Sequence, residues 1–490
     1  MKLSQSKYFC KCIFRTFALK HVILALILAT TISLLSCSRE TTEGNEFVSE
    51  IALDDVLAIS NTRRYNVMRP DPASPEVLEI AAKLRHRIPR WVRPEEGLES
   101  EYISHVAAIA DIEHLFSILW GLYIAYEYFG GDEAFLPIKD DILQQLDLFD
   151  VIHPIELGQI ISDSLAYVIT DRHFSLYWYD DDTYGWWFPT SPVSFVENSR
   201  AVFDRVETGY RNRNNNLYVI NIVGHDLCEV FRLSIDENGH FFYSPILMLE
   251  LVVDYYKIII EYEDGSSEPI FLKENRLPFH IHDDVTGMWN EEGTPIVYLA
   301  RMPYDGEPDA RRFLSYGEML NKEPISILDL RNNPGGHPTL PARWLQRLVD
   351  EIVPSNAIKL SHNNISTVTR EAFRTSVTPG WMVERDKILI VLVDRYSASA
   401  SEAFVDHVLN LQNTLIIGQN TSGTLLTGNI ATSQLPNSGI FIRVPRVMYI
   451  LPDNVFEEAV GFAPDIWVHG DVDPLVAAIA MLRNAGLTKD

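Results

Sequence analysis

From Pro295 onward, short apolar runs alternate with amphipathic ones: PIVYLARM, ARRFLSYGEML, ISILDL, LPARWLQRLVDEIV, ILIVLVD, SEAFVDHVLNLQ and TLIIG. The odd members read as strands and the even ones as helices. ILIVLVD is apolar on both of its faces, so it needs cover on both sides. This alternation predicts an α/β core whose central strands are sandwiched between helices. In such cores, chemistry collects where a strand ends and a helix opens, because helix N-termini present free N–H groups.

At 490 residues the chain is too long for one ordinary core. From Glu76 to about Asp171 the pattern is mainly helical. PEVLEIAAKLRHRI, DIEHLFSILWGLYIAYEYF and IELGQIISDSLAYVI place apolar residues three and four apart. After YWYDDDTYGWWF, short β-like runs (AVFDRV, LYVINIVG, YYKIIIEYEDGSSEPIFL) alternate with polar turns up to Leu277. The expected organisation is a leader at 1–36, a tether and extension at 37–75 and a helical N-terminal domain at 76–185. A β-rich module at 186–280 and the α/β core at 281–490 follow.

The first 36 residues carry Lys2, Lys7, Lys11, Arg15 and Lys20 and no acid, and then the apolar run VILALILATTISLL. A basic flank before so short a run predicts an export signal and not a spanning helix, which needs about 20 apolar residues. Removing it leaves 36 basic against 67 acidic side chains, a net of −31. Such a surface repels nucleic acid and anionic headgroups. Only Cys228 would remain beside Cys37, so no intramolecular disulfide is expected, and no Cys/His spacing suggests zinc. No metal or cofactor is implied.

Two junctions could carry chemistry. ILDLRNNPGGHPTLP runs from a strand through Gly335-Gly336 into a helix, and paired glycines can turn a backbone N–H outward. ILIVLVDRYSASASEAF is a second strand-to-helix corner and bears hydroxyls. Ser399-x-x-Glu402 is also a capping box, which would suffice to start the helix without any chemistry. On neighbouring strands, the two corners would join a hydroxyl to free N–H donors, the arrangement of a nucleophile with an oxyanion hole.

SILDLRNNPGG, then SASASEAF about 60 residues later, then IIGQNTSG, together resemble the catalytic core of the tail-specific (C-terminal processing) serine peptidase superfamily, over roughly residues 290–468. LYIAYEYFGGDEAF and ITDRHFSLY extend the likeness more loosely. The resemblance implies a crotonase/ClpP-like α/β core and makes the β-rich module similar to a PDZ domain, whose edge could take a peptide as an added strand. It also implies Ser399 as nucleophile, with oxyanion donors at Ala400 and at Gly336 or Gly335. Asp329 and Arg331 would hold the loop. Leu34-Leu35-Ser36-Cys37 resembles the lipobox of bacterial lipoproteins. That likeness implies lipidation at Cys37 and a membrane anchor facing the periplasm or cell surface.

The processing branch takes its base from a lysine about 25 residues after the serine. Here that position is Thr424, and no lysine occurs from Ile388 to Thr488. The tricorn-like branch uses a histidine from the N-terminal part and a glutamate near the C-terminus. Asp171-Arg172-His173 is similar to its DGH stretch, with arginine in place of glycine, and Glu458 in EEAVGFAPDI matches its glutamate. The expected site is therefore Ser399, His173 as base and Glu458 orienting it through a further hydroxyl. His337 is the rival base. His407, eight residues along the serine's helix, lies about 12 Å away. The expected activity is hydrolysis of peptide bonds in peptide or protein substrates by an exported serine endopeptidase. The alternative is an inactive peptide- or lipid-binding lipoprotein on the same fold.

Overall fold

In the computed structural model, five parallel strands form the centre of the C-terminal half: Thr294–Leu299, Ile325–Asp329, Ile388–Val393, Thr414–Gly418 and Ile466–Val468. The structure describes residues 51–67, 70–71, 74–75, 77–79, 102–179, 184–187, 189, 193–206, 209–250, 253–278, 284–361, 382–452 and 455–488. The leader, Cys37 and most of the helix expected at 75–88 lie outside them.

The central strands owe their place to residues that are apolar on both faces. Leu389, Val391 and Val393 point into one buried layer with Phe313, Trp344 and Phe404, from helices Pro308–Leu320, Leu340–Val349 and Ala400–Val408. Ile390 and Leu392 point the other way, into a layer with Ala477, Ile479 and Leu482 of helix Pro474–Asn484. Val56 and Leu57 of helix Leu53–Tyr65 join that second layer, so part of the stretch expected as a tether is core. Arg64 of this helix is buried against Asp465 at 2.6 Å.

The ladder does not stop at the β-rich residues. Ile466–Val468 pairs in parallel with Phe231–Ile235, and antiparallel strands continue from there to make a sheet of 14 among the described residues. Strand Phe241–Leu249 also touches Phe203–Val206 through Tyr243 and Phe203, which closes the last seven strands into a ring.

A separate sheet carries the N-terminal part. Ser175–Tyr179 pairs with Phe441–Ile450, which pairs in turn with Thr427–Gln434. Helices His105–Leu122, Gly131–Leu146 and Pro154–Leu165 cover it, with Ile112, Leu115 and Leu119 packed in one core with Ile442, Val444 and Met448. Helix His105–Leu122 is long and apolar enough to cross a membrane, and half of it is buried here as a core element. It ends earlier than its sequence pattern predicts, because Ile124 N–H donates to Pro445 O and the chain turns onto the sheet. The helical region and the last strands of the core are thus one packed body, and that brings residues near 173 toward residues near 399.

Candidate active site

The three serines of SASASE have different fates. Ser397 is buried and its hydroxyl donates to Leu330 O at 2.8 Å. Ser401 is buried and donates to Asn333 O at 2.9 Å. These two bonds, with Ala398 N–H on Asn333 O, clamp the serine corner onto the Gly-Gly corner of the adjacent strand. Ser399, between them, is half-buried and heads its helix at φ 55°, ψ −114°. A non-glycine residue there carries strain of order 1–3 kcal/mol, held in place by its surroundings. Its N–H donates to Glu402 Oε2 at 3.0 Å, and its Oγ lies 2.9 Å from His173 Nε2.

The glycine corner fits against this elbow. Gly335 has φ +98°, and a Cβ there would stand 2.8 Å from Ala398 O, Ala400 N and Ser399 Cβ. Its N–H donates to Asn333 Oδ1 at 2.9 Å, so Gly335 is not available as an oxyanion donor, contrary to its place among the expected ones. Gly336, at φ +134°, sits where a Cβ would meet Met302 O at 2.2 Å. Among the described residues, neither Gly336 N–H nor Ala400 N–H has a protein acceptor. Arg331 grips Asp329 with two guanidinium nitrogens and reaches Asp473 at 3.1 Å, which ties the corner to the C-terminal helix.

His173 lies just before strand Ser175–Tyr179. Its backbone N–H donates to Asp171 Oδ1 at 3.0 Å. Asp171, fully buried, also accepts from Tyr123 at 3.0 Å and from Thr427 at 2.8 and 2.9 Å. Arg172 does not need a glycine's backbone freedom, since its φ is not positive. Its N–H donates to Glu458 Oε1 at 3.2 Å, and its guanidinium donates to Ser422 O and Oγ, both at 2.7 Å. The substitution thus ties the histidine loop to the loop where a lysine would otherwise sit.

Glu458 comes to the site but not to the imidazole. Its oxygens accept from the N–H groups of Arg172, Leu425 (3.2 Å) and Leu426 (2.9 Å). His173 Nδ1 is sealed from solvent and has no hydrogen-bond partner among the described residues. The expected hydroxyl bridge from glutamate to ring is absent there, because backbone donors already occupy the carboxylate. Glu458 reaches His173 through the peptide chain at Arg172. His337 turns to Thr339 at 3.1 Å, and His407 to Val353 O at 2.9 Å. Neither is bonded to Ser399.

Glu402 is the residue the sequence undersold. Fully buried, it accepts not only from Ser399 N–H but also from Thr421 Oγ1 (2.7 Å), Gly423 N–H (2.6 Å) and Thr424 N–H (2.7 Å). One carboxylate therefore joins the elbow to the Thr421–Thr424 loop. The capping pattern was the available signal for Glu402. Tyr123 and Thr427 had none, since their contacts depend on tertiary packing.

The electrostatics follow from burial. Loss of water pushes the His173 imidazole down to about 4, helped by Arg443 and Arg172, so the ring is neutral at neutral pH. Burial pushes Asp171 up to about 6 against the pull of its hydrogen bonds. Burial, then the neighbouring Asp171 charge, holds Glu458 well above the usual carboxylate range. Glu402 is also raised by burial, with its four donors opposing. Among the described residues, no group of three or more His, Cys, Asp and Glu side chains converges as metal ligands do.

Part of the chain is similar to known peptidases. Residues 301–468 match Peptidase family S41. A stretch of 174 residues is 30% identical to the chloroplastic carboxyl-terminal-processing peptidase 3 of Arabidopsis thaliana, covering 35% of this chain and 31% of that protein. Another, of 178 residues, is 31% identical to the carboxyl-terminal-processing protease of a Synechocystis species, covering 32% of this chain and 38% of that one. The chain thus matches only about a third of the length of these relatives. Among solved structures, mature CPAF aligns with 78% of this chain and 96% of its own, at 12% identity and a TM-score of 0.43. The stretch similar to peptidase family S41, residues 301–468, holds the serine elbow, its glycine corner and Glu458.

Proposed function

We propose that this chain is an exported serine endopeptidase that cleaves peptide or protein substrates with Ser399 as nucleophile and His173 as base. The observation that carries the reading is the 2.9 Å approach of Nε2 to Oγ, between residues 226 positions apart, at a strained elbow. The two groups have no structural need of each other, and the other two hydroxyls of the run are spent on backbone carbonyls.

Ser399 Oγ attacks the scissile carbonyl while Nε2 takes its proton. Negative charge develops on the carbonyl oxygen, and the unbonded N–H groups of Ala400 and Gly336 receive it. The imidazolium then protonates the departing amine. Water, deprotonated by the same ring, releases the acyl group. A base held down to about 4 is a weak acceptor but is always in its neutral form at pH 7. Glu458 and Asp171 fix the His173 loop and are positioning residues. Thr424 at the lysine position, with His173 beside Ser399, supports the tricorn-like, histidine-using branch.

The finer architecture follows the same reading: a crotonase/ClpP-like core, a helical domain over the second sheet, and the closed ring of strands as a PDZ-like module that delivers a substrate tail. The names of the processing relatives support a tail as substrate. The basic and apolar leader and Cys37 support attachment by lipid to a membrane, facing the periplasm or the cell surface.

A fluorophosphonate probe tests the reading directly. Labelling at Ser399, lost in Ser399→Ala with the fold intact by circular dichroism, is expected. Folded wild-type protein that takes no label and cleaves no peptide library would leave the inactive binding protein as the better reading.

A further inference from the structure

A cavity of about 460 Å³ lies away from Ser399, where helix Leu53–Tyr65, the ring of strands and the residues after Glu458 meet. Such a volume falls in the range of roughly 300–1,000 Å³ that holds small ligands. Its wall carries three arginines, Arg63, Arg205 and Arg232, beside the rings of Tyr210, Phe231, Tyr243 and Trp467.

In a chain with 67 acidic and 41 basic residues, three arginines on the wall of one cavity need a reason. Among the described residues none of them forms an ion pair. Arg232 is the telling one. Its Nε is sealed from solvent with no hydrogen-bond partner among the described residues. Burial lowers its pKa, and the charge of Arg63 lowers it further. Tyr243 beside Arg205 raises its pKa. Two acids also line the cavity. Asp465 is neutralised by Arg64 at 2.6 Å, and Glu229 is exposed. Three cations against one free carboxylate leave a surplus of two charges. Arginine forks suit phosphate oxygens, and the aromatic walls suit a planar apolar body.

We propose that this cavity binds a small organic phosphomonoester, a dianion whose phosphate meets the three arginines and whose apolar body lies against the aromatic wall. Pro464 and Asp465 of the wall lie six and seven residues beyond Glu458, so a bound ligand also braces the segment that holds the base loop. The binding claim stands independently of the peptidase reading.

The test is calorimetric titration of the full chain with phenyl phosphate, in low salt. Saturable 1:1 binding is expected, weakened about tenfold or more in Arg232→Met and in Arg63→Gln. Arg63 is exposed, so its variant folds whatever becomes of Arg232. Benzoate, with one charge, and inorganic phosphate, with no ring, should each bind at least about tenfold more weakly. The proposal is overturned by no saturation, by equal affinity in Arg63→Gln, by benzoate or inorganic phosphate matching phenyl phosphate, or by tighter binding of a phosphotyrosine peptide than of phenyl phosphate.

Discussion

The two halves of the candidate site are held by different means. The Ser399 elbow is built locally, from one pair of neighbouring parallel strands, with hydroxyl and backbone bonds over fewer than 70 residues. The His173 loop is built at long range: Asp171 bonds Thr427, 256 positions away, and the Arg172 amide bonds Glu458, 286 away. The first half relies mostly on groups that do not titrate. The second rests on two buried carboxylates whose protonation is already displaced toward neutral pH. Glu402 is the joint, since it bonds the elbow and the Thr421–Thr424 loop that leads into strand Thr427–Gln434. The Ser399 half and the His173 half can therefore fail separately.

The largest effect belongs to the base. His173→Ala should lower kcat by roughly 10³-fold or more, about 4 kcal/mol of transition-state stabilisation, with KM and thermal stability nearly unchanged. Steady-state kinetics on any cleaved peptide will show it. Activity within tenfold of wild type would return the base to another group.

Glu402→Ala strikes the joint. It strands the Ser399, Gly423 and Thr424 N–H groups and the Thr421 hydroxyl in a buried place. At about 1–3 kcal/mol for each buried group left unpaired, partly relieved by relaxation, a loss of about 3 kcal/mol or more is expected in urea denaturation. A loss under about 1 kcal/mol would mean that the elbow and the loop stand without it.

Legibility in the sequence divides along the same line. The parallel strands announced themselves through runs such as ILIVLVD, and the two corners through Gly335-Gly336 and the serine run, because local sequence sets local geometry. Helix Gly131–Leu146 was missed: Pro137 lies inside it, and a proline there usually ends a helix. The hairpin Thr427–Gln434 to Phe441–Ile450 was missed as well, since TGNIATSQ is polar and its partners are the Ser175–Tyr179 strand and distant helices. That hairpin carries Thr427 to Asp171, so the support of His173 could not be read locally. The resemblance supplied His173 and Glu458 as types. Only packing revealed that Glu458 acts on the Arg172 amide and not on the ring.

The base half should also respond to pH in a particular direction. Asp171, held at about 6 in the fold against an ordinary 3.8, binds its proton more readily folded than unfolded. Between pH 3.8 and 6 it therefore adds stability as pH falls. His173, held near 4 against an ordinary 6.5, does the opposite between 6.5 and 4. In wild type the two oppose each other over the shared window. Asp171→Asn removes the first, so its stability should fall more steeply than wild type as pH drops from 6 to 4, by up to about 1.4 kcal/mol per pH unit. Parallel curves for the two proteins in urea titrations across that window would contradict a buried Asp171 that titrates near 6.

The smallest expected effect is none, and it concerns the missing lysine. Restoring it as Thr424→Lys in the His173→Ala background tests whether the serine half can accept a base from its own loop. Thr424 is nearly buried, its N–H is bound by Glu402, and its hydroxyl lies 3.0 Å from Ser422 Oγ. That same Oγ accepts from the Arg172 guanidinium. A lysine leaving Cα in the threonine's direction would drive its ammonium toward another cation, while the Glu402 carboxylate would keep it protonated and unable to take a proton from Ser399. Hydrolysis should stay at the level of His173→Ala alone. Recovery of even about tenfold in kcat would mean that the loop can still turn toward the serine, and that Arg172 only fills a space the lysine once used.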